Sequence, residues 1–431
     1  MEMSWLRSGA APGTGWPSRL AILAALIAFA LAVLAAAPAD TPTADLLFDQ
    51  SVVNDVRLTM KPGDWDALRA TYLEDTYYPA DMTWQDQVVP IVGIRSRGSG
   101  SRNPYKPGLK VDFGRYLDQK FLGLKSVVLA NAVQDPAMLK QRVGMLMYAR
   151  MGLPAPRVTH VRVYVNDGYL GLCMLIEPID KNFLARVYGT DENGKTENGG
   201  YLYEYAWKDA YEWGYLGANL QIYRQLFEPK THETEAPSTL YGPLEDMFRT
   251  FNDVRDRDFE REVGALIDLR QFAKFLAVDN FIAEHDGFLG FWGPSNFYMY
   301  RFQGKTVSHL LPWDKDSACW AIDHDIFQGV TANVLAKRAL AIPWVYRVYV
   351  ETLLACAASA MAPASPDSPI GWLEAEVLQE TAQIHAAGYA DVQKPFTNER
   401  FDDELNKVLT FARARGPYVV REAQKALERI E

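Results

Sequence analysis

The sequence predicts an α+β fold, with strands dominating its first half and helices its second. Three observations carry this. Residues 54–60, 88–97, 109–113, 127–130 and 158–176 alternate or run apolar over strand lengths. Asn166-Asp167-Gly168 between two such runs marks a hairpin. From Leu240 onward, apolar residues recur mostly at helical spacing.

Taken in order, Asn54–Met60 reads as a strand and Lys61-Pro62-Gly63-Asp64 as a turn, with Asp64 placed to cap a short helix, Trp65–Ala70. Val88–Arg97 and Leu109–Phe113 are strands joined by a Gly/Ser/basic loop. Val127–Ala130 is a buried strand. Asp135-Pro136 starts a helix carrying Leu139, Val143, Leu146, Met147 and Met151, which Gly152 stops. Val158–Val165 and Tyr169–Ile176 form the hairpin, and Gly200–Ala206 another strand. Pro243–Asp253 and Asp268–Glu284 are helices, the second with a broad apolar face. Strands follow at Asn296–Phe302 and Val307–Pro312. Ile342–Ala360 is a core helix broken by Pro343. Ile370–Ala387 and Phe401–Ile430 complete the chain, the last broken near Gly416-Pro417. The polar, Gly-rich residues 191–200 separate a strand-rich part, 46–195, from a helical part, 196–431.

The first 39 residues stand apart. Arg7 and Arg19 precede the uncharged apolar run Leu20–Ala37, and Ala35-Ala36-Ala37-Pro38-Ala39 offers small residues for cleavage. This is a cleaved export signal or an uncleaved anchor. Either places the remainder outside the cytoplasm, as a periplasmic, cell-surface or secreted protein with membrane contact only through this segment. With 48% hydrophobic residues the chain can bury a large core, and a net charge of −10 argues against nucleic acid as a partner. Three cysteines without metal-site spacing exclude a disulfide scaffold. The six histidines show no His-x3-His spacing and there is no Gly-x-Ser-x-Gly, which argues against a zinc hydrolase and a serine hydrolase.

The chemistry concentrates between Glu284 and Trp320. Asp286 follows a long apolar helix and precedes Gly287, so it is either a general base at a cleft mouth or a turn aspartate. Asp314 and Asp316 alternate after a strand and, with the Asn296 amide, supply oxygens suited to Mg²⁺. Upstream, Gly98-Ser99-Gly100-Ser101 lies among Arg97, Arg102 and Lys106 and can cradle phosphate through backbone N–H groups, or simply be a hairpin loop. It is not a P-loop, because Gly93-x4-Gly98 is followed by Ser99-Gly100 rather than Lys-Ser/Thr. Lys106 and Lys110 are both candidates for phosphate contact, and Glu177, at a strand end, is a carboxylate to pair with one of them. The order of parts (Gly-rich loop, Lys, Glu, Asp, Asn, Asp) is that of a protein kinase.

These residues resemble the CotH kinase family. The resemblance rests on Arg97-Gly98-Ser99 with Lys106 and Lys110, Leu129-Ala130-Asn131 with Asp135-Pro136, and Val163-Tyr164-Val165-Asn166 with Gly168-Tyr169 and Gly171. It continues in Glu177 with Asp180-Lys181, His285-Asp286-Gly287, Asn296–Tyr300 and Pro312-Trp313-Asp314 with Asp316. It implies an atypical protein-kinase-like bilobal fold, with a strand-rich N-lobe and a mainly helical C-lobe. It also implies transfer of the ATP γ-phosphoryl group, with Mg²⁺ or Mn²⁺, to a Ser-rich protein. Asp286 would be the base and Asp314 the metal ligand, supported by Asn296 and Asp316. Arg97, Ser99, Lys106, Lys110 and Glu177 would serve the nucleotide. Two features depart from the kinase pattern: ten positions separate Asp286 from Asn296, and the loop lacks a third glycine. Because ATP is scarce outside the cytoplasm, the rival expectation is a non-catalytic surface or adhesion module on the same fold.

Overall fold

The computed structural model describes residues 43–190, 192–209 and 211–428; the apolar run Leu20–Ala37 lies outside them. After the short helix α1 (Ala44–Leu47) come β1 (Asn54–Met60), α2 (Pro62–Ala70), β2 (Tyr78–Trp84), β3 (Gln87–Arg97), β4 (Gly108–Asp112) and β5 (Ser126–Ala130). Helix α3 (Lys140–Arg150) precedes the hairpin β6 (Val158–Val165) and β7 (Gly168–Ile176), whose turn residues Asn166 and Asp167 have φ of 47° and 66°. These seven strands close into a barrel in the order β1-β2-β3-β4-β5-β7-β6, sealed by parallel pairing of β1 with β6. Closure was not foreseen. It depends on a parallel pairing between distant segments, to which local patterning is blind.

The remaining elements are mainly helical. They are α4 (Lys181–Tyr188), β8 (Tyr201–Tyr205), α5 (Leu220–Leu226), β9 (Phe227–Pro229), α6 (Pro237–Asp253), α7 (Asp256–Gly264) and α8 (Leu269–Phe281). Then come β10 (Phe297–Arg301), β11 (Ser308–Pro312), α9 (Val334–Ala339), α10 (Pro343–Met361), α11 (Trp372–Ala390) and α12 (Asn398–Leu427). A second sheet, in the order β11-β10-β8-β9, lies among these helices. The α+β class is thus as expected, and residues Ala44–Glu431 form one compact unit.

Two apolar clusters explain the arrangement. Val56, Leu58, Val92, Ile94, Leu109, Val111, Val127, Leu129, Val163 and Leu175 fill the barrel. The outward residues of β5 and β7, Val128, Leu172, Met174 and Ile176, join the core of the helical part. Both faces of these two strands are therefore covered, which is why they read as unbroken apolar runs.

Several boundaries differ from expectation. Pro343 starts α10 rather than breaking it, since proline's missing N–H costs nothing in a first turn. Helix α12 runs through Gly416 and Pro417. Lys61, not Asp64, occupies the N-cap of α2, and no side chain caps it. Helix α3 begins only at Lys140, because the Asp135 carboxylate accepts from Ala137 N and Lys140 N and holds the preceding turn apart. All three cysteines are buried and free.

Candidate functional site

Helix α8 delivers the first site residue. Its Asp268 N-cap accepts from Arg270 N and Gln271 N, and its apolar face is buried as far as Phe281. The chain then turns through Ala283 at φ 53° and places Asp286 on a half-buried loop. Glu284 Oε1 accepts from Asp286 N at 3.0 Å. Asn296, at φ 56° just before β10, donates from Nδ2 to Asp286 O at 2.8 Å and to Asp286 Oδ2 at 3.0 Å. Ten residues apart in sequence, the two are locked together. The longer spacing is thus a local excursion that returns to a direct hydrogen bond.

After β11, Asp314 takes φ 47° and Cys319 φ 58°. Left-handed backbone at Ala283, Asn296, Asp314 and Cys319 costs conformational energy, which rigid surroundings must offset. Those surroundings centre on Lys315, whose ammonium is wholly buried. It pairs with Asp279 Oδ1 at 3.0 Å and donates to Asn296 O at 3.2 Å. Asp279 also accepts from Tyr148 Oη at 2.8 Å and from Phe288 N at 2.9 Å. The Lys315 amide donates to the Gln141 side chain. Position 287 has no room for a side chain, since a Cβ would lie 2.3 Å from Asp279 Oδ2. Helix α3, helix α8, the Asp286 loop and the Asp314–Asp316 loop therefore share one buried polar hub.

Around this hub the acids crowd one another. Burial pushes Asp286 up from the usual carboxylate range; Lys315 opposes this and Asp314 adds to it. Asp314 is likewise raised by burial, against the pull of Arg97 and Lys315. Asp316 is raised furthest, by burial and by Asp314, Asp135, Glu284 and Asp286. Glu284 is pushed up to about 8, mainly by burial. Its Oε2 is buried without a hydrogen-bond partner. Among the described residues, no three His, Cys, Asp or Glu side chains stand in a ready coordinating arrangement. The donor chemistry nonetheless fits a hard divalent cation: crowded carboxylate oxygens with raised proton affinity, plus one orphaned buried oxygen.

The basic candidates separate. Arg97 lies with its guanidinium 5.5 Å from the Trp313 ring centroid and within electrostatic reach of Asp314. Ser99 is exposed at the loop tip. Lys110, on β4, faces out of the barrel, opposite Arg95 and Val128 and diagonal to Arg97. Lys106 is withdrawn from solvent. Its Nζ is wholly buried, 2.6 Å from Asp391 Oδ2, and donates to Leu172 O at 2.8 Å. Glu177 pairs with neither lysine. It binds Arg157 at 2.8 Å and Arg186 at 2.5 Å and accepts from Arg157 N at 3.1 Å. The two arginines surround this strand end, so the anticipated Lys–Glu pair is replaced by Glu177 with two arginines and Lys106 with Asp391.

Sequence reading passed over Lys315, Asp279, Glu284, Asp391 and Arg415. A signal existed for two of them. Asp279 is a lone acid inside an apolar helix, and Lys315 is a lone cation between two acids directly after a buried strand, where a lysine needs a partner. Arg415, on α12, is fully buried. It donates to Asn280 O at 2.6 Å, Phe281 O at 2.9 Å, and Ile322 O and His324 O at 2.7 Å each.

The buried hub, the clustered acids and the flanking basic strand face define a charge-handling centre. The chain belongs to the CotH kinase protein family, whose profile matches residues 94–419. It is similar to inner spore coat protein H of Bacillus subtilis (strain 168), with 24% identity over 380 residues covering 84% of this chain and 95% of that protein. The crystal structure of the Helicobacter pylori proinflammatory kinase CtkA aligns over 75% of this chain and 95% of that one, at 10% identity and a TM-score of 0.28.

Proposed function

We propose that this protein is an exported protein kinase that moves the γ-phosphoryl group of ATP to a serine hydroxyl of a protein acceptor. The observation that supports this most is the bond from Asn296 to Asp286 beside the Asp314–Asp316 acids, in a chain of the CotH kinase family. Asp286 accepts the acceptor's proton. Its environment raises its proton affinity, which favours that role. Asn296, Asp314 and Asp316 would hold Mg²⁺ or Mn²⁺, which supplies charge neutralisation to the phosphates when bound. Arg97 and Lys110 would contact the phosphates, and the loop carrying Ser99 would offer them backbone N–H groups. Lys106 and Glu177 act at a distance: the first fixes the loop's base through Asp391, the second the end of β7 through its arginines. Export rests on the apolar run Leu20–Ala37.

The test is transfer of labelled phosphate from ATP to dephosphorylated casein, with Asp286→Ala and Asp314→Ala as controls. Transfer by wild type that disappears in both variants is expected. Undiminished transfer in both would overturn the mechanism, and no binding of ATP–Mg²⁺ at millimolar concentration would favour the non-catalytic surface module.

A further inference from the structure

Beside the acid cluster lies a cavity of about 760 Å³, whose lining residue Gln134 also reaches Gly100 of the Gly/Ser loop, where a Cβ would lie 3.5 Å from its side chain. One wall is the turn before α3, with Gln134, together with that helix's first residue, Lys140. A second is the segment that follows the Asp314–Asp316 loop, Cys319 to Ile322. The third is the first half of α12, including Arg400, Asn406 and Thr410. Cys319 feels the charges of Asp135 and Glu284, and those two acids also act on Asp316. The cavity is therefore one layer from the proposed centre.

Trp320 connects the two. It lines the cavity and is 59% exposed, yet it stacks on His285 with ring centroids 3.9 Å apart. His285 directly precedes Asp286, and it also stacks on Phe291 at 5.4 Å and meets Trp292 edge-on at 4.9 Å. Phe291 and Trp292 are both exposed, and Trp207, also exposed, donates from Nε1 to Trp292 O at 3.1 Å. An exposed aromatic strip thus runs past the proposed base and into the cavity. Contiguous exposed aromatic surface of this kind marks an interaction site.

The cavity's charges indicate its occupant. Lys140 and Lys407 both pair with Glu404, at 3.6 and 2.6 Å, and Asp403 lies beside them. Two of the three lining cations are thus paired with one acid and only Arg400 is left without an ion pair among the described residues, whereas a triphosphate needs several positive groups free to face it. The paired charges suit an extended polypeptide, whose amides and hydroxyls are polar but uncharged.

We propose that this cavity and its aromatic strip form the acceptor-binding groove, in which an extended segment of the protein substrate lies so that a hydroxyl reaches Asp286. This rests on the kinase reading above. Asn406 and Thr410 are exposed on α12, one turn apart, so bulky replacements fill the groove without entering the core. In Asn406→Trp/Thr410→Phe, the KM for dephosphorylated casein rises about tenfold or more, while the KM for ATP and the acceptor-free ATP hydrolysis stay at wild-type values. An unchanged casein KM overturns the proposal. A rise in ATP KM with no rise in casein KM assigns the cavity to the nucleotide instead. A photo-crosslinking residue at Thr410 separates this from failure of the kinase reading. Casein is captured there, and not at exposed Val88 on the barrel, even if no phosphate is transferred. Equal capture at the two positions overturns the groove.

Discussion

Asp286 carries the proposed proton transfer, and the bond from Asn296 aims it. Replacing it with asparagine keeps the shape and removes the base. Single-turnover transfer should fall by about 10²–10⁴-fold, with ATP affinity by calorimetry nearly unchanged. Asp316 behaves differently, because its carboxylate is surrounded by other acids. Without divalent metal, Asp316→Asn should raise the melting temperature while phosphoryl transfer is lost, a site destabilised for function. Added Mg²⁺ should stabilise wild type more than this variant. Glu284 gives a pH signature. Its folded-state value of about 8 lies above its ordinary 4.5, so the folded protein holds the extra proton between those limits. Its stabilising contribution is complete below about pH 4.5 and is lost as pH rises through about 8. In chelator, Glu284→Gln should melt increasingly above wild type as pH goes from 5 to 8. A constant difference across that range would sink this assignment.

At the scale of elements, the loop Arg97–Lys110 and the strand β7 are tied to the turn after α11 by one buried ion pair. Asp391 accepts from Leu172 N at 3.1 Å and from Gln393 N and Lys394 N, and Lys106 completes its shell. A Cβ at Gly171 would lie 2.4 Å from Asp391 Oδ2, so the strand has no side chain where the carboxylate docks. Breaking a fully buried pair leaves one charge without compensation. Lys106→Met should cost about 3–5 kcal/mol in denaturant unfolding. Lys106→Met with Asp391→Asn removes both charges and should recover most of that loss. Full additivity of the two changes would mean that the pair is not coupled.

Over the whole molecule, the last helix governs loops far from it in sequence. Arg415 has no carboxylate partner among the described residues; it meets the carbonyl end of α8 and the segment after the Asp314–Asp316 loop. A helix C-terminus is electronegative, so the guanidinium is satisfied there. Arg415→Lys cannot reproduce the fork of donors. Amide hydrogen exchange should then speed up at residues 282–287 and 322–326, while the barrel strands keep their protection.

Local patterning carried the α+β class, most strand positions and the hairpin at Asn166-Asp167, and it singled out Asp286, Asn296, Asp314 and Asp316 as polar residues among apolar runs. Alternation, turn chemistry and unusual polar residues among apolar runs are local signals, and they survive without a fold. Only the tertiary structure closed the barrel, paired Lys106 with Asp391 and Glu177 with arginines, turned Lys315 inward, and brought α12 against both loops. Those outcomes depend on which distant charges meet once water is excluded. A lysine's spacing in the chain carries no record of the carboxylate that will desolvate beside it, here 285 residues away.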